Sequence, residues 1–367
     1  MSAITWFAHD RDRTWSCPPP SEEAITFHRS LDGYAPTPLI ELPDLARELG
    51  VGHVFAKDES SRLGLPAFKA LGASWAIHRT LRDRTDDEPV TIVTATDGNH
   101  GRAVARFARL LGHRAAIIVP PGVHPTAVQA IVDEGADVTE ADGTYDDAVA
   151  AAGRLADEIG GLLVQDTAWE GYEEIPSWIV EGYATLFAEA DEQLTAAGHA
   201  RPDLALVPAG VGSLLQGALA HYRGGRAAPG TAVASVEPEA AACMAPSLAA
   251  GERVTVPTGI TVMSGLNCGT PSSLAWPYIK GGLDAAIAVT DEADIRAAHD
   301  LAGLGVHAGP CGGAGLAAAR AALTGDGAAE RRRHLNVDAD SIILLVITEG
   351  SAANPVPALG HAPHTPE

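Results

Sequence analysis

The chain has 367 residues, 46% of them hydrophobic and 20% charged, which bounds it to an ordinary globular protein of one large domain or two. A formal charge of −22 leaves nothing to neutralise a phosphate backbone, so nucleic acid is excluded as a partner. No run of about 18 apolar residues occurs, which excludes a membrane-spanning helix, and the first 25 residues carry charges and CPPP instead of an apolar leader core.

That Pro-rich start is expected to be loose. The first informative stretch is KDESSRLGLPAFKALGASWA, residues 57–76. Of 25 basic residues only three are lysine, and two of those, Lys57 and Lys69, lie here. Lys57 is followed at once by Asp58 and Glu59, which favour its ammonium form and make it a poor nucleophile. Lys69 follows Pro66 in what reads as a helix start, with no acid in the ten residues beyond it. Apolar neighbours and the positive end of a helix dipole both disfavour its charged form. Those conditions suit a Schiff-base lysine, a role closed to arginine because it does not deprotonate. An exposed helix lysine is the competing reading.

From about 90 to 168 the strand-like runs VTIVTAT, AAIIVP, ADVTEA and LLVQDT alternate with helical patterns, which signals βαβ units and a parallel sheet. The turn ATDGNHG puts Asp97 and Asn99 at the carboxyl end of a strand, where ligands collect in open α/β sheets. Asp166, ending LLVQDT, has the same standing, and simple helix capping is the alternative for these turns. A long amphipathic helix, roughly 175–197, leads to a second series of strands: LALVPAG, AVASVEP, AAIAV and SIILLVIT.

AGVGSLLQGAL, residues 209–219, follows the first of these strands and opens a helix. Gly210, Gly212, Ser213 and Gly217 would let the backbone wrap a phosphate at the helix N-terminus. The glycine spacing is not the dinucleotide fingerprint, and Glu237, followed by Pro238, stands too far on for a ribose-binding acid. RRRH at 331–334 reads as a solvated helix end, and the Pro-rich tail after 352 as loose. Cys17, Cys243, Cys268 and Cys311 form no CxxC pair and no Cys/His cluster with metal spacing; they read as reduced thiols of a cytoplasmic protein, with no metal expected.

The blocks KDES-x-R-x-GL-x-AFK-x-LG, ATDGNHGR, QDTAWEGY, AGVGS, VEP, GL-x-CG-x-P and TEG occur in this order over residues 35–350. With them the chain resembles the diaminopropionate ammonia-lyases, fold-type II pyridoxal-phosphate (PLP) enzymes related to threonine and serine dehydratases. The resemblance implies an α/β fold of the tryptophan synthase β type, two open twisted domains with the cofactor between them. The larger domain would comprise 25–69 plus 191–352 and the smaller inserted one 70–190, with loose termini at 1–24 and 353–367, in a homodimer. It implies that Lys69 binds the PLP aldehyde, that Asn99 bonds the phenolic oxygen, and that Thr348 faces the pyridine nitrogen. Gly210, Val211, Gly212 and Ser213 would hold the phosphate, and Asp97 and Asp166 match the catalytic carboxylates.

The implied reaction is α,β-elimination of ammonia from a small amino acid, 2,3-diaminopropionate, to give pyruvate and ammonia. Two departures bear on the substrate. Pro66 stands where the family has Asn, and GVHAGPCGGAG at 305–315 replaces a Glu-Ser-Gly-Ala type loop, so an acidic residue near the cofactor is absent from it. A serine/threonine-type dehydratase, a β-replacement synthase and a non-catalytic ligand-binding protein are the alternatives.

Overall fold

The computed structural model describes residues 5–82, 84, 88–96, 98–225 and 230–360. From the N-terminus come β1 (Thr5–Ala8), α1 (Glu22–Ser30), β2 (Leu39–Glu41), α2 (Pro43–Leu49) and β3 (His53–Asp58). A 3-10 turn, Arg62–Gly64, leads to α3 (Lys69–Arg82). Strands and helices then alternate through β4 (Thr91–Ala95), α4 (Asn99–Leu110), β5 (Arg114–Val119), α5 (Pro125–Val132), β6 (Asp137–Glu140), α6 (Tyr145–Ile159) and β7 (Leu162–Leu163). The long α7 (Glu174–Ala196) carries the chain to β8 (Leu204–Pro208), α8 (Ser213–Arg223), β9 (Ala232–Pro238) and α9 (Met244–Ala250). Last come α10 (Trp276–Gly282), β10 (Ala285–Val289), α11 (Asp291–Gly303), α12 (Pro310–Leu323), α13 (Ala328–Leu335) and β11 (Ile342–Ile347).

Two sheets result. The larger runs β1-β10-β9-β8-β11-β3-β2, with β1 and β2 antiparallel at its edges and the five inner strands parallel. The smaller runs β6-β5-β4-β7 and is wholly parallel. Every residue of β8, β9, β10 and β11 is buried, as a sheet covered by helices on both faces requires. The α/β class read from the alternating pattern is what the chain adopts. No helix among the described residues is long and apolar enough to cross a membrane.

The two sheets meet through α3 and α7. Gly72 and Gly182 let these helices touch backbone to backbone: a Cβ on Gly182 would stand 2.6 Å from the Leu71 carbonyl oxygen. Leu71, Ile77, Tyr183 and Leu186 fill the crossing within a core shared by both sheets. The boundary expected at 69/70 coincides with the first residue of α3. The one expected at 190/191 falls inside α7, whose buried residues run without a break in the helix from Pro176 to Leu194.

Three local expectations need correction. The N-terminal arm is ordered from Thr5: β1 pairs with β10, and the buried Arg11 sets its Nε 2.9 Å from Asp284 Oδ1. A four-residue strand is too short to stand out from the Pro-rich sequence around it. In RRRH, Arg331 is buried and Arg332 half-buried. Their Nε groups donate to the carbonyls of Ala322 and Leu323 at 3.0 and 3.1 Å, satisfying oxygens at the end of α12. The tail is tied down as far as Pro357, whose carbonyl bonds the His299 ring at 2.9 Å; residues 361–367 lie outside the described residues.

Candidate active site

The turns after β3, β4, β7, β8 and β11 all leave the carboxyl ends of parallel strands and open on one cleft of about 630 Å3. Lys69, Asn99, Asp166, Gly210, Thr348 and Glu349 are among its walls.

Lys69 is placed by backbone pairing. Gly350 N donates to Pro66 O at 2.9 Å and Phe68 N to Thr348 O at 3.1 Å, so residues 66–68 lie antiparallel to the chain leaving β11. Pro66 therefore sits in an extended bridge, where its carbonyl is used and its missing N–H is not needed, and the helix begins at Lys69 itself. The expectation of a wholly apolar setting for this lysine fails. Its Nζ donates to Asp166 Oδ2 at 2.7 Å, a carboxylate 97 positions away in sequence. Burial alone would raise the pKa of Asp166. The Lys69 ammonium reverses this and holds it at about 2, below the ordinary 3.8.

His100 is buried on α4. Its Nε2–H donates to the Val164 carbonyl at 2.8 Å, and its Nδ1 stands 3.9 Å from Asp166 Oδ2. Burial lowers its pKa against the pull of Asp166, so the ring is neutral at pH 7. Sequence reasoning passed over His100.

The capping alternative for the ATDGNHG turn falls to Thr96, whose Oγ1 accepts from Gly98 N at 3.0 Å and Gly101 N at 3.1 Å. The Asn99 side chain is left to face the cleft, where Nδ2 donates to Glu349 Oε2 at 2.6 Å. Asp97 lies outside the described residues.

At the other glycine turn, Gly212 (φ +99°) precedes α8 and no side chain caps the helix start. A Cβ on Gly210 would be 3.1 Å from both Cys268 Sγ and the Gly265 carbonyl oxygen, a tight fit that glycine avoids. The first-turn N–H groups are thus presented to the cleft with a favourable dipole for an anion. Gly217 is no part of this cup. It lies within α8, where a Cβ would stand 3.2 Å from that of Tyr183, and it serves the packing of α8 on α7.

Thr348 is 3% exposed, and its buried Oγ1 makes no hydrogen bond among the described residues. A buried hydroxyl left unpaired is destabilising by about 1–3 kcal/mol and marks a missing partner. A lysine amine, an uncapped helix start for an anion and this hydroxyl fit the aldehyde, phosphate and ring nitrogen of PLP.

Glu349 was not singled out by its motif. It is 4% exposed and bonds Asn99 and the Cys311 N–H (3.2 Å), which belongs to the 305–315 loop. The acid absent from that loop is therefore supplied by the neighbouring strand end; a Cβ on Gly309 would stand 3.0 Å from Glu349 Oε1. Its place just after IILLVI, the same kind of place as Asp166, was the available signal.

Two other groups stay outside the cleft. Glu237 is buried, accepts from Cys243 N at 2.8 Å and Met244 N at 3.1 Å, and is pushed up to about 8 by burial. Lys57 is fully buried and pairs with Glu189 at 2.7 Å. A more open hollow of about 790 Å3, lined by Trp169 and Tyr172, holds none of the groups described above.

Comparison with known proteins agrees with this geometry. A family described as "Pyridoxal-phosphate dependent enzyme" matches residues 31–348. The diaminopropionate ammonia-lyase of Escherichia coli K12 is 36% identical over 351 residues, spanning 89% of this chain and 87% of that protein. That of Salmonella typhimurium is 34% identical over 362 residues, spanning 90% and 89%. The crystal structure of the Escherichia coli enzyme with an aminoacrylate-PLP azomethine reaction intermediate superposes with a TM-score of 0.86 over 95% of this chain and 94% of that one, at 34% identity. Maize serine racemase superposes at 0.74 with 25% identity, over 91% and 93%. With the family match and these relatives in hand, the chain belongs to the fold-type II pyridoxal-phosphate dependent enzymes and, within them, to the diaminopropionate ammonia-lyase family.

Proposed function

We infer that the protein eliminates ammonia from 2,3-diaminopropionate with the help of PLP; with one water the products are pyruvate and two ammonia. The observation that carries this is the Lys69–Asp166 pair at 2.7 Å inside the shared cleft. Lys69 would hold the cofactor aldehyde, the Gly210–Ser213 turn its phosphate, Asn99 its phenolic oxygen and Thr348 its ring nitrogen. When bound, the cofactor supplies the electron sink for charge developing at the substrate Cα.

The rest is the work of this chain. Lys69 Nζ, displaced by the substrate amine, takes the Cα proton. The β-amine must leave protonated, and Asp166 is suited to that transfer. Its low pKa depends on the Lys69 charge, so loss of that charge lets burial raise the carboxyl toward a proton-carrying state. Asp97 is the proposed second carboxylate on the family pattern alone. A cleft walled by Asp166 and Glu349 favours a substrate carrying a second ammonium over serine or threonine. Glu349 beside Gly309 also weakens the case for another substrate that the altered loop had raised. A homodimer in the cytoplasm belongs to the same reading, and the four free thiols suit that compartment.

The test is an amino-acid panel on the PLP-loaded protein, with ammonia and keto acid both measured. Two ammonia per pyruvate from diaminopropionate, at a kcat/KM above those for serine and threonine of either hand, is expected. A higher kcat/KM for serine or threonine would replace this reading with a dehydratase, and absence of keto acid from every substrate would remove the activity altogether.

A further inference from the structure

We propose that Glu41, His53 and His199 form a binding site for a divalent transition-metal ion, which fastens the β2–β3 edge of the large sheet to the end of α7. None of the three lines the cleft, so the proposal does not depend on the reaction.

Positions 41, 53 and 199 have no metal-binding spacing in sequence; the fold brings them together. Glu41 pairs across the strands with Phe55. His53, two residues before Phe55, points to the same face of the sheet. The third group arrives from α7. Gly198 (φ +85°) turns the chain where that helix ends, and His199 N closes back on Leu194 O at 2.9 Å. The His199 ring then meets that of His53 edge to face, with centroids 4.3 Å apart.

One ligand atom from each residue lies within 4.8 Å of the other two. Glu41 Oε1 and His53 Nδ1 are 2.8 Å apart. The contact is a hydrogen bond whose proton an ion would replace, and donors on adjacent positions of an ion with bonds of about 2.0–2.1 Å stand about 3 Å apart, so little movement of this pair is needed. His199 needs a shift of an ångström or two, within reach of a side chain on a surface turn. The buried Phe55 ring packs against both imidazoles, 6.0 Å from His53 and 5.2 Å from His199. The side chains of His53 and Glu41 are 35% and 47% exposed, so a hydrated ion can reach them and retain a water as a further ligand.

Two imidazoles and a carboxylate select zinc and its first-row neighbours over magnesium or calcium, which prefer all-oxygen sets. The consequence is mechanical. Lys57, near the other end of β3, already reaches Glu189 of α7. An ion at His53 and His199 would be a second fastening of the same strand to the same helix, and folding stability would rise with metal supply.

The test uses the full-length, PLP-loaded protein freed of metal with a chelator and titrated with zinc chloride. Calorimetry should give one zinc per chain, and the thermal midpoint should rise by several degrees, with no response to magnesium. His199→Ala and His53→Ala should each weaken binding by more than the about 10–100-fold typical of losing an outer partner, and abolish the thermal shift. Diaminopropionate turnover by these variants without zinc should match that of the parent protein. Equal zinc affinity in the doubly substituted His53→Ala, His199→Ala protein would place the ion elsewhere and overturn the site. So would an absence of saturable binding, which would leave Glu41 and His53 as a simple hydrogen-bonded pair.

Discussion

Lys57 and Lys69 stand twelve residues apart and each donates to a carboxylate at 2.7 Å, Glu189 for one and Asp166 for the other. Both carboxylates are held near 2 by their basic neighbours against the opposing effect of burial. The surroundings are what differ. Lys57 Nζ also donates to Thr37 O and Gln193 Oε1, each at 2.8 Å, so all three of its hydrogens are committed. Arg62 bridges Glu59 and Glu189 beside it, with no exposure at all. Lys69 is a quarter exposed at the first turn of a helix, and its carboxylate looks into a cleft. An ion-pair distance therefore does not distinguish a fixed charge from one whose proton can move. Access to a ligand does.

Substitutions at the two lysines test that contrast most severely. Lys69→Ala should lower turnover by at least about 10³-fold while leaving the fold intact. Borohydride reduction of the PLP-loaded parent, followed by peptide mapping, should find the cofactor on the peptide carrying Lys69. A variant that keeps a tenth of its kcat would erase the distinction between the sites. Lys57→Met should behave in the opposite sense. It takes from the buried Glu189 one of its two cations, with Arg62 still paired to it, so stability should fall by about 1–3 kcal/mol in urea titration, with kcat per folded chain nearly unchanged. Loss of turnover at full stability would move Lys57 into the chemistry.

Acid titration sharpens the comparison. Asp166 and Glu189 are depressed from 3.8 and 4.5 to about 2, so their stabilising contributions are complete above those ordinary values and disappear as pH falls toward 2. Urea midpoints should drop across that window. Asp166→Asn should remove about 2 kcal/mol of the pH dependence and leave the part due to Glu189. A midpoint that stays flat or climbs as the pH falls would contradict both shifts. The smallest effect belongs to Thr348→Val, which should weaken PLP binding by up to about 10-fold without destabilising the cofactor-free protein, since its hydroxyl has no partner to lose.

Much of this arrangement was legible before any coordinates. Alternation with helical patterns identified β4 to β11, and most of these, though not the exposed edge strand β6, write themselves as continuous apolar segments because they are buried. The glycine turn before α8 and the Asn99 turn were visible because special backbone needs special residues. β1, β2 and β3 were not, being short or interrupted by His53 and Lys57. Pairings were also hidden: Asp166 against Lys69, Glu189 against Lys57 and Glu349 against Asn99 join residues 97, 132 and 250 positions apart. Local pattern carries no information at that range. The error about the setting of Lys69 had this origin, since reading only its neighbours in sequence made the amine look unopposed.

The short β1 strand has a practical bearing on handling the protein. It is the only cover, among the described residues, on the free side of Ala285–Val289, a wholly buried run of small and β-branched residues. Trimming the first dozen residues as a disposable leader would bare a row of unpaired amide groups well suited to stacking against another molecule, and clumping during expression would be the expected penalty.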